Sequence, residues 1–483
     1  MKALTHLLQA LGIQFMDPSI LVQDIVFDSR AAKENSLFIA LEGLANDGHD
    51  FLNQVYSQGC RMAIVQRKTS LPSDFLQIEV PDSRKALSLL ACEWYVNPSR
   101  EITLVGITGT NGKTTCATLL YHLFLRLGYK AGLLSTVVNK IGNETIPSTH
   151  TTPNPLALNA LLRTMVDEGC SHCFMEVSSH AVHQHRIFGL QFRGAVFTNI
   201  THDHLDYHHT FAAYIQAKKA FFDMLAPDAF ALTNRDDRNG EIMVQNTRAS
   251  KCTYALNTMA DFKGLILENE IGGLVMKLND VEVHTQLIGA FNAYNLLAVY
   301  GVGRLLGIPS LELITALSAL ESVEGRFQFF KSTNGVTVVV DYAHTPDALE
   351  NVLKTISHFI KDHQKVITVV GCGGDRDKAK RPAMAGIAQK ISTQVILTSD
   401  NPRTENPSQI LQDMQAGINP SVAVPVLSIE DRSQAIQTAS LLAGMGDVVL
   451  IAGKGHEKYQ EINGIKHPFD DFQIAQTFFN KNN

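Results

Sequence analysis

No run in this sequence is apolar for the roughly 20 residues that a bilayer crossing takes. Cysteine is scarce and unpatterned. The seven residues are an odd number without framework spacing, which argues against a disulfide-stapled secreted domain and fits a reducing cytoplasm. Basic excess is missing too: the formal net charge is −6, which argues against nucleic acid as the main partner. Internal repeats and low-complexity tracts are absent. The amino-terminal MKALTHLLQALG, interrupted by His6 and Gln9, reads as a first helix and not as a signal peptide. What is abundant is material for a core. Hydrophobic residues make up 45% of the chain and charged ones 18%, so it folds, and 483 residues suggest three domains of roughly 150 each.

The expected fold is α/β. Residues 1–100 alternate short β-like runs (SLFIAL, RMAIVQ, FLQIEV) with helical stretches such as 82–96, making a small α/β amino-terminal domain. Residues 101–331 place strands such as HCFMEVSS and GAVFTNIT between helices, the pattern of a mostly parallel sheet covered on both faces. Residues 332–483 are the most regular. The strands VTVVVDYA, KVITVVGC, TQVILTSD and DVVLIAGK alternate with helical stretches at 346–362, 379–392 and 430–444, the signature of a doubly wound, Rossmann-like sheet whose ligands sit at the strands' carboxyl ends. The polar stretches DYAHTPD, GGDRDKAKRP, SDNPRTENP and GKGHEKYQ fall at those ends and form one rim.

GITGTNGKTT, residues 106–115, follows the apolar segment 102–105 and leads into a helical pattern beginning near Thr114. Strand, glycine-rich turn and helix together present backbone N–H groups and a helix N-terminus to an anion. Lys113 can reach terminal phosphates and the Thr114 hydroxyl can ligate Mg²⁺, so the loop is expected to hold a nucleoside triphosphate. The strict P-loop spacing would need glycine where Ile107 stands; the glycines are at 106, 109 and 112.

Glu176 in EVSSH and His204 in TNITHDHLDYH close two strands near that loop and are candidates around a metal. A capping glutamate and a hydrogen-bonded histidine remain the alternatives. His202 and His204 lack a clearly spaced third zinc ligand. Cys170 and Cys173 read as packing residues, and Lys218 and Lys219, taken alone, as a solvated helix face. TNRDD at 233–237 formally matches a guanine-reading motif, although the further doubly wound domain argues against a GTPase. On the rim, Asn-Pro projects Arg403 outward from a turn. With Arg376 and Glu457 it describes a pocket for a zwitterionic amino acid.

Assembled, these motifs resemble the Mur ligase family over nearly the whole chain. FDSR, NSLFIALEGLANDGHDF, GITGTNGKTT, TTP, MEVSSHAVHQHRI, TNITHDHLDYH, YIQAKKAFF, GRFQ, DYAHTPDALENVL, GCGGDRDKAKRP, DNPRTENP and IAGKGHEKYQ carry the resemblance. Folylpolyglutamate synthetases share the loop but are not expected to carry the amino-terminal and DNPR segments. Mur ligases themselves use G-T-N-G-K-T, so Ile107 is no departure.

The resemblance implies ATP- and Mg²⁺-dependent amide formation through an acyl phosphate, in a cytoplasmic monomer without membrane or nucleic-acid partners. It places Gly109, Thr110, Asn111, Gly112, Lys113 and Thr114 around ATP, with Asn295 on adenine, Arg326 on phosphate and Asp341 on ribose. Thr114, Glu176, His204 and a carbamylated Lys218 would surround Mg²⁺, with Lys113, Lys218 and His204 serving catalysis. The nucleotide sugar of UDP-N-acetylmuramoyl-L-alanyl-D-glutamate would meet Phe27, Ser29, Leu44, Ala45 and Asn46, where Leu44 departs from the polar residue of some relatives. Its peptide arm would meet Thr151, Thr152, Ser178, Gln184 and Arg186. DNPR is the form found in members that add meso-diaminopimelate, whose second carboxylate Arg403 can clamp. Asp400, Asn401, Pro402, Arg376, Gly453 and Glu457 match the other positions around that amino acid.

Overall fold

The computed structural model describes residues 1–43, 46–148, 150–270, 272–361 and 363–480. Three main sheets succeed one another along the chain. The first is parallel, in the order Asp24–Val26, Ser36–Ile39, Met62–Val65, Leu76–Glu79. Side chains alternate across its faces with the period of two that a strand dictates. Leu37, Ile39 and Ile64 pack with helices Leu4–Gln9 and Ser83–Trp94, whereas Phe38, Ala63 and Val65 pack with helix Leu52–Ser57. Both faces are covered, so Ser36–Ile39 and Met62–Val65 are buried throughout.

The second sheet has eleven strands. Its parallel centre runs Ala131–Leu134, His172–Glu176, Thr103–Thr108, Gly194–Phe197, Phe230–Asn234, Ser250–Ala255 and Phe262–Glu270. Antiparallel strands extend both edges: Val138–Ile141 and Glu144–Pro147 on one side, Gly273–Leu278 and Val281–Thr285 on the other. Thr103–Thr108 comes first in sequence yet lies in the middle: the chain fills one side as far as His172–Glu176, then crosses to Gly194–Phe197 on the other. The crevice at such a reversal is where open α/β sheets bind ligands.

The third sheet is ordered Gln328–Lys331, Thr337–Asp341, Val448–Ala452, Val366–Cys372, Gln394–Ser399, Val426–Ser428, parallel except for its first strand. One apolar cluster lies on each face, as the unbroken apolar strands require. Helix Pro346–Ser357 starts where the Thr345 hydroxyl caps it and Pro346 takes its first turn. The boundary expected between 331 and 332 falls inside this sheet, because Gln328–Lys331 pairs antiparallel with Thr337–Asp341. A four-residue strand ending in a polar turn carries too little periodicity to reveal its partner. No described helix is long and apolar enough to cross a membrane.

Candidate functional site

Register sets the first part of the site. Glu176 pairs with Ile107, and Phe197 with Thr108, so the ends of His172–Glu176 and Gly194–Phe197 flank the loop that leaves Thr103–Thr108. Helix Lys113–Arg126 begins after Gly112, at φ +86°, with no side chain capping its N-terminus. A Cβ at Gly112 would stand 2.6 Å from Asn295 Oδ1. Glycine is therefore required for both conformation and space. Neighbouring strand ends hold the loop: the Asn111 N–H donates to Asn199 Oδ1 (2.9 Å), and the Thr198 hydroxyl donates to the Asn111 carbonyl (2.6 Å). The Lys113 ammonium folds back onto the carbonyls of Gly109 (2.9 Å) and Thr110 (2.8 Å). Burial lowers its pKa, with Glu176 and Asp203 opposing.

Glu176 is fully buried. Its Oε1 accepts the Thr136 N–H (2.7 Å), while Oε2 has no hydrogen-bond partner among the described residues. It caps no helix. A buried carboxylate oxygen without a partner is costly unless a cation completes it, so the donor set fits a metal. The Thr114 hydroxyl accepts from Arg326 Nη2 (3.0 Å), and Arg326 lies 4.6 Å from the Tyr342 ring. His204 adopts the left-handed region (φ +55°), with Nε2 3.4 Å from Asp203 Oδ2. Desolvation pushes its pKa down, favouring the neutral imidazole that a metal ligand must be. Burial raises the Asp203 pKa, but the positive charges of Lys380 and Lys113 help to hold the carboxyl below its usual range. His202 turns elsewhere, toward Asp377 (3.5 Å).

The lysine pair is not a solvated face. Helix Phe211–Asp223 is buried on several sides, and Lys218 is 1% exposed. Its Nζ donates to the Gly109 carbonyl (2.7 Å) and stands 4.7 Å from the Tyr214 ring. Burial, then Lys113, drives its pKa well below the usual lysine value. Lys219 pairs with Asp223 instead. Cys170 and Cys173 lie in a core cluster, as packing residues do. Beside Glu176, a wall is linked by hydrogen bonds. The Thr152 hydroxyl donates to the Glu176 carbonyl and accepts the Ser178 N–H, Thr151 accepts from Thr136, and Arg186 donates to Gln184 and the Thr152 carbonyl.

On the third sheet's rim, Asp341 accepts the Phe327 N–H (2.6 Å), and burial raises its pKa to about 6. Arg403 sits at φ +51°; its Nη1 donates to the Gly374 carbonyl (2.6 Å) and its Nε lies 3.7 Å from Glu461. Asn401 donates to Glu457 Oε2 (2.7 Å), and burial, then Asp400, raises the Glu457 pKa. Lys454, which the sequence reading passed over, is fully buried and donates to Asn401 Oδ1 (3.0 Å) and Glu457 (3.2 Å). Its place between two glycines just after a rim strand was the available signal. Asp203, Asn199 and Thr198 were missed likewise, although they lie in or beside the quoted TNITHDH.

One cavity of about 1310 Å³ gathers most of these groups. Thr110 to Thr114, Glu176, His204, Lys218, Asn295, Arg326 and Asp341 line it, together with Thr151, Thr152, Ser178 and Arg186. So do Arg376, Asp400, Asn401, Arg403, Gly453 and Glu457. Gly109, Gln184 and Pro402 do not line it. Phe27, Ser29 and Asn46 lie apart, beside the first sheet, and Leu44 and Ala45 fall outside the described residues. The TNRDD carboxylates line the cavity but are already taken up by neighbouring loops. Asp236 accepts from the N–H groups of Leu256, Asn257 and Thr258, and Asp237 from those of Ile200 and Asn239. Guanine reading needs a carboxylate free of such bonds.

Residues 107–303 match the Mur ligase middle domain, and residues 325–455 the Mur ligase glutamate ligase domain. A Cytophaga hutchinsonii protein named UDP-N-acetylmuramoyl-L-alanyl-D-glutamate–2,6-diaminopimelate ligase is 53% identical over 457 residues, 94% of each chain. A solved structure of a ligase of that name superposes with a TM-score of 0.70 at 32% identity, covering 99% of both chains. Thermotoga maritima MurF ligase in complex with ADP shares the fold, with a TM-score of 0.64 at 21% identity over 96% of this chain and 98% of that one.

Proposed function

Because the chain belongs to the Mur ligase family, we propose that it joins meso-2,6-diaminopimelate to UDP-N-acetylmuramoyl-L-alanyl-D-glutamate in an ATP-dependent ligation of peptidoglycan synthesis. The observation that carries this reading is the shared cavity, into which the nucleotide loop, the orphaned Glu176 oxygen and the arginine rim all open. A carboxylate is a poor acylating agent. In the proposed reaction a carboxylate oxygen of the D-glutamyl end attacks the terminal phosphorus of ATP, the bond to ADP breaks, and an acyl phosphate forms. The diaminopimelate amine then attacks the acyl carbon, loses a proton, and phosphate leaves the tetrahedral intermediate.

The protein's part is to position groups and neutralise charge. Lys113 and Arg326 serve the phosphates, Asn295 the adenine and Asp341 the ribose. Mg²⁺, held by Thr114, Glu176, His204 and a carbamylated Lys218, would neutralise charge on the transferred phosphoryl. Lys218 suits carbamylation. Its buried amine favours the neutral form that attacks CO₂, losing a proton to leave an anionic carbamate. Thr151, Thr152, Ser178, Gln184 and Arg186 take the peptide arm, with Gln184 acting through its bond to Arg186. Arg376, Arg403, Glu457 and the Asp400-Asn401-Pro402 turn take diaminopimelate against Gly453. Residues 1–100, through Phe27, Ser29, Asn46 and the 44–45 stretch, take the nucleotide sugar. As the family resemblance implies, the proposed working unit is a cytoplasmic monomer.

Phosphate release from ATP with the nucleotide dipeptide, compared across meso-diaminopimelate, lysine and no amino acid, tests the reading. Release stimulated by diaminopimelate and little by lysine is expected. Release indifferent to nucleotide sugar and amino acid refutes the ligase.

A further inference from the structure

Arg381 lies outside the cavity, in helix Lys380–Ile391, and is fully buried. Its Nη1 and Nη2 donate to the two oxygens of Glu405 at 3.0 and 2.8 Å, Nη1 also donates to Asp413 (2.8 Å), and Nη2 stands 3.4 Å from the Gly373 carbonyl. Burying a guanidinium is expensive, and such pairs often add little net stability. Its placement is more informative. Glu405 belongs to the turn that carries Arg403, yet its Oε1 also accepts the Asp375 N–H (2.6 Å) from the loop that carries Arg376.

The two loops are fastened at further points. The Gly374 N–H donates to the Asn401 carbonyl (2.9 Å), Arg403 Nη1 to the Gly374 carbonyl (2.6 Å), and the Thr404 hydroxyl to Asp375 (2.8 Å). They approach so closely that a Cβ at Gly374 would collide with the Pro402 carbonyl. Asp375 and Arg403 both hold left-handed backbone (φ +53° and +51°), which persists only when the surroundings impose it. Contact with Arg381 holds the Glu405 carboxyl down at about 2, so the tie is ionised at any working pH.

We propose that Arg381 and Glu405 are a positioning pair that sets the distance between Arg376 and Arg403, and with it the preference for an amino acid bearing a second carboxylate. The inference rests on the diaminopimelate reading above. Neither residue touches the cavity, so the pair acts only through the two arginine loops.

The test is steady-state kinetics on the full chain, varying diaminopimelate, lysine, ATP and the nucleotide dipeptide in turn. Glu405→Gln should raise the KM for diaminopimelate about tenfold or more, as misplaced binding groups do, and lower its advantage over lysine. The KM values for ATP and nucleotide dipeptide should hold within twofold. Glu405→Asp should recover part of the loss. A purely structural pair would lower the amount of active enzyme without moving the diaminopimelate KM, and that result in folded Glu405→Gln overturns the proposal. Should that variant not fold, Arg381→Lys, which keeps the charge but loses the fork that grips both Glu405 oxygens, gives the same reading: unchanged diaminopimelate KM and selectivity overturn it. Wild-type enzyme that ignores diaminopimelate would instead refute the diaminopimelate reading itself, and the wild-type arm shows this before any variant is compared.

Discussion

Replacing Arg403 by alanine isolates the group assigned to the second carboxylate of diaminopimelate. Among the described residues the guanidinium makes one hydrogen bond, Nη1 to the Gly374 carbonyl, and a long contact to Glu461 at 3.7 Å. Most of its donors therefore remain for a ligand in the cavity that it lines. A hydrogen bond to a charged group contributes about 1.5–3 kcal/mol, and truncation leaves the substrate carboxylate unpaired. A loss of about 3 kcal/mol corresponds to roughly a hundredfold fall in kcat/KM for diaminopimelate. Lysine has no second carboxylate, so its kcat/KM should change by no more than about threefold, the difference lying in one unpaired group. Arg403→Lys should fall between, since an ammonium keeps the charge but loses the two-pronged geometry. The assay is phosphate release at saturating ATP and nucleotide dipeptide, with each amino acid varied separately. An equal fall for both amino acids would refute the reasoning, because Arg403 would then be serving the loop and not the carboxylate.

Gly112→Ala should cut kcat/KM for ATP by two orders of magnitude or more, since left-handed backbone costs about 1–2 kcal/mol and the new methyl meets Asn295 at 2.6 Å; phosphate release with ATP varied checks it. Asp341→Asn should stabilise the unliganded protein above pH 6. The folded pKa of about 6 exceeds the usual 3.8, so the wild-type contribution is fully present below 3.8 and lost as pH rises through 6. The gain should approach about 3 kcal/mol at pH 8 and vanish below pH 4, read from thermal unfolding at both. Asp471→Asn should cost about 3–5 kcal/mol, because it strips the carboxylate from Arg432, buried beside it at 2.7 Å. Urea unfolding followed by circular dichroism measures that loss.

Much of the fold was legible because its determinants are local. The unbroken apolar strands of the third sheet declare burial on both faces, and the glycine loop declares a strand-to-helix turn. The site was legible in pieces: Lys113 and Thr114 from the loop, Glu176 from its strand end, and Arg403 from Asn-Pro. Lys218 was not, since a lysine pair on a helix looks alike whether solvated or buried. Its role entered only through family resemblance, and its burial against the Tyr214 ring and the Gly109 carbonyl shows why its amine is unusual. Arg381 was passed over for the same reason: nothing near it in sequence reports a burial imposed by distant segments.

By itself, then, the sequence determined three successive α/β units, a loop shaped for phosphates, and a rim with two arginines, because periodicity and turn chemistry act over a few residues. Only the tertiary structure decided that these face one cavity, that Glu176 keeps a buried oxygen without a partner among the described residues, and that Lys218 loses its solvation. Those properties depend on which strand ends lie side by side and how far water is excluded between them. Long-range packing sets both, and residues 109 positions apart share in it, as Lys218 and Gly109 do across their 2.7 Å hydrogen bond.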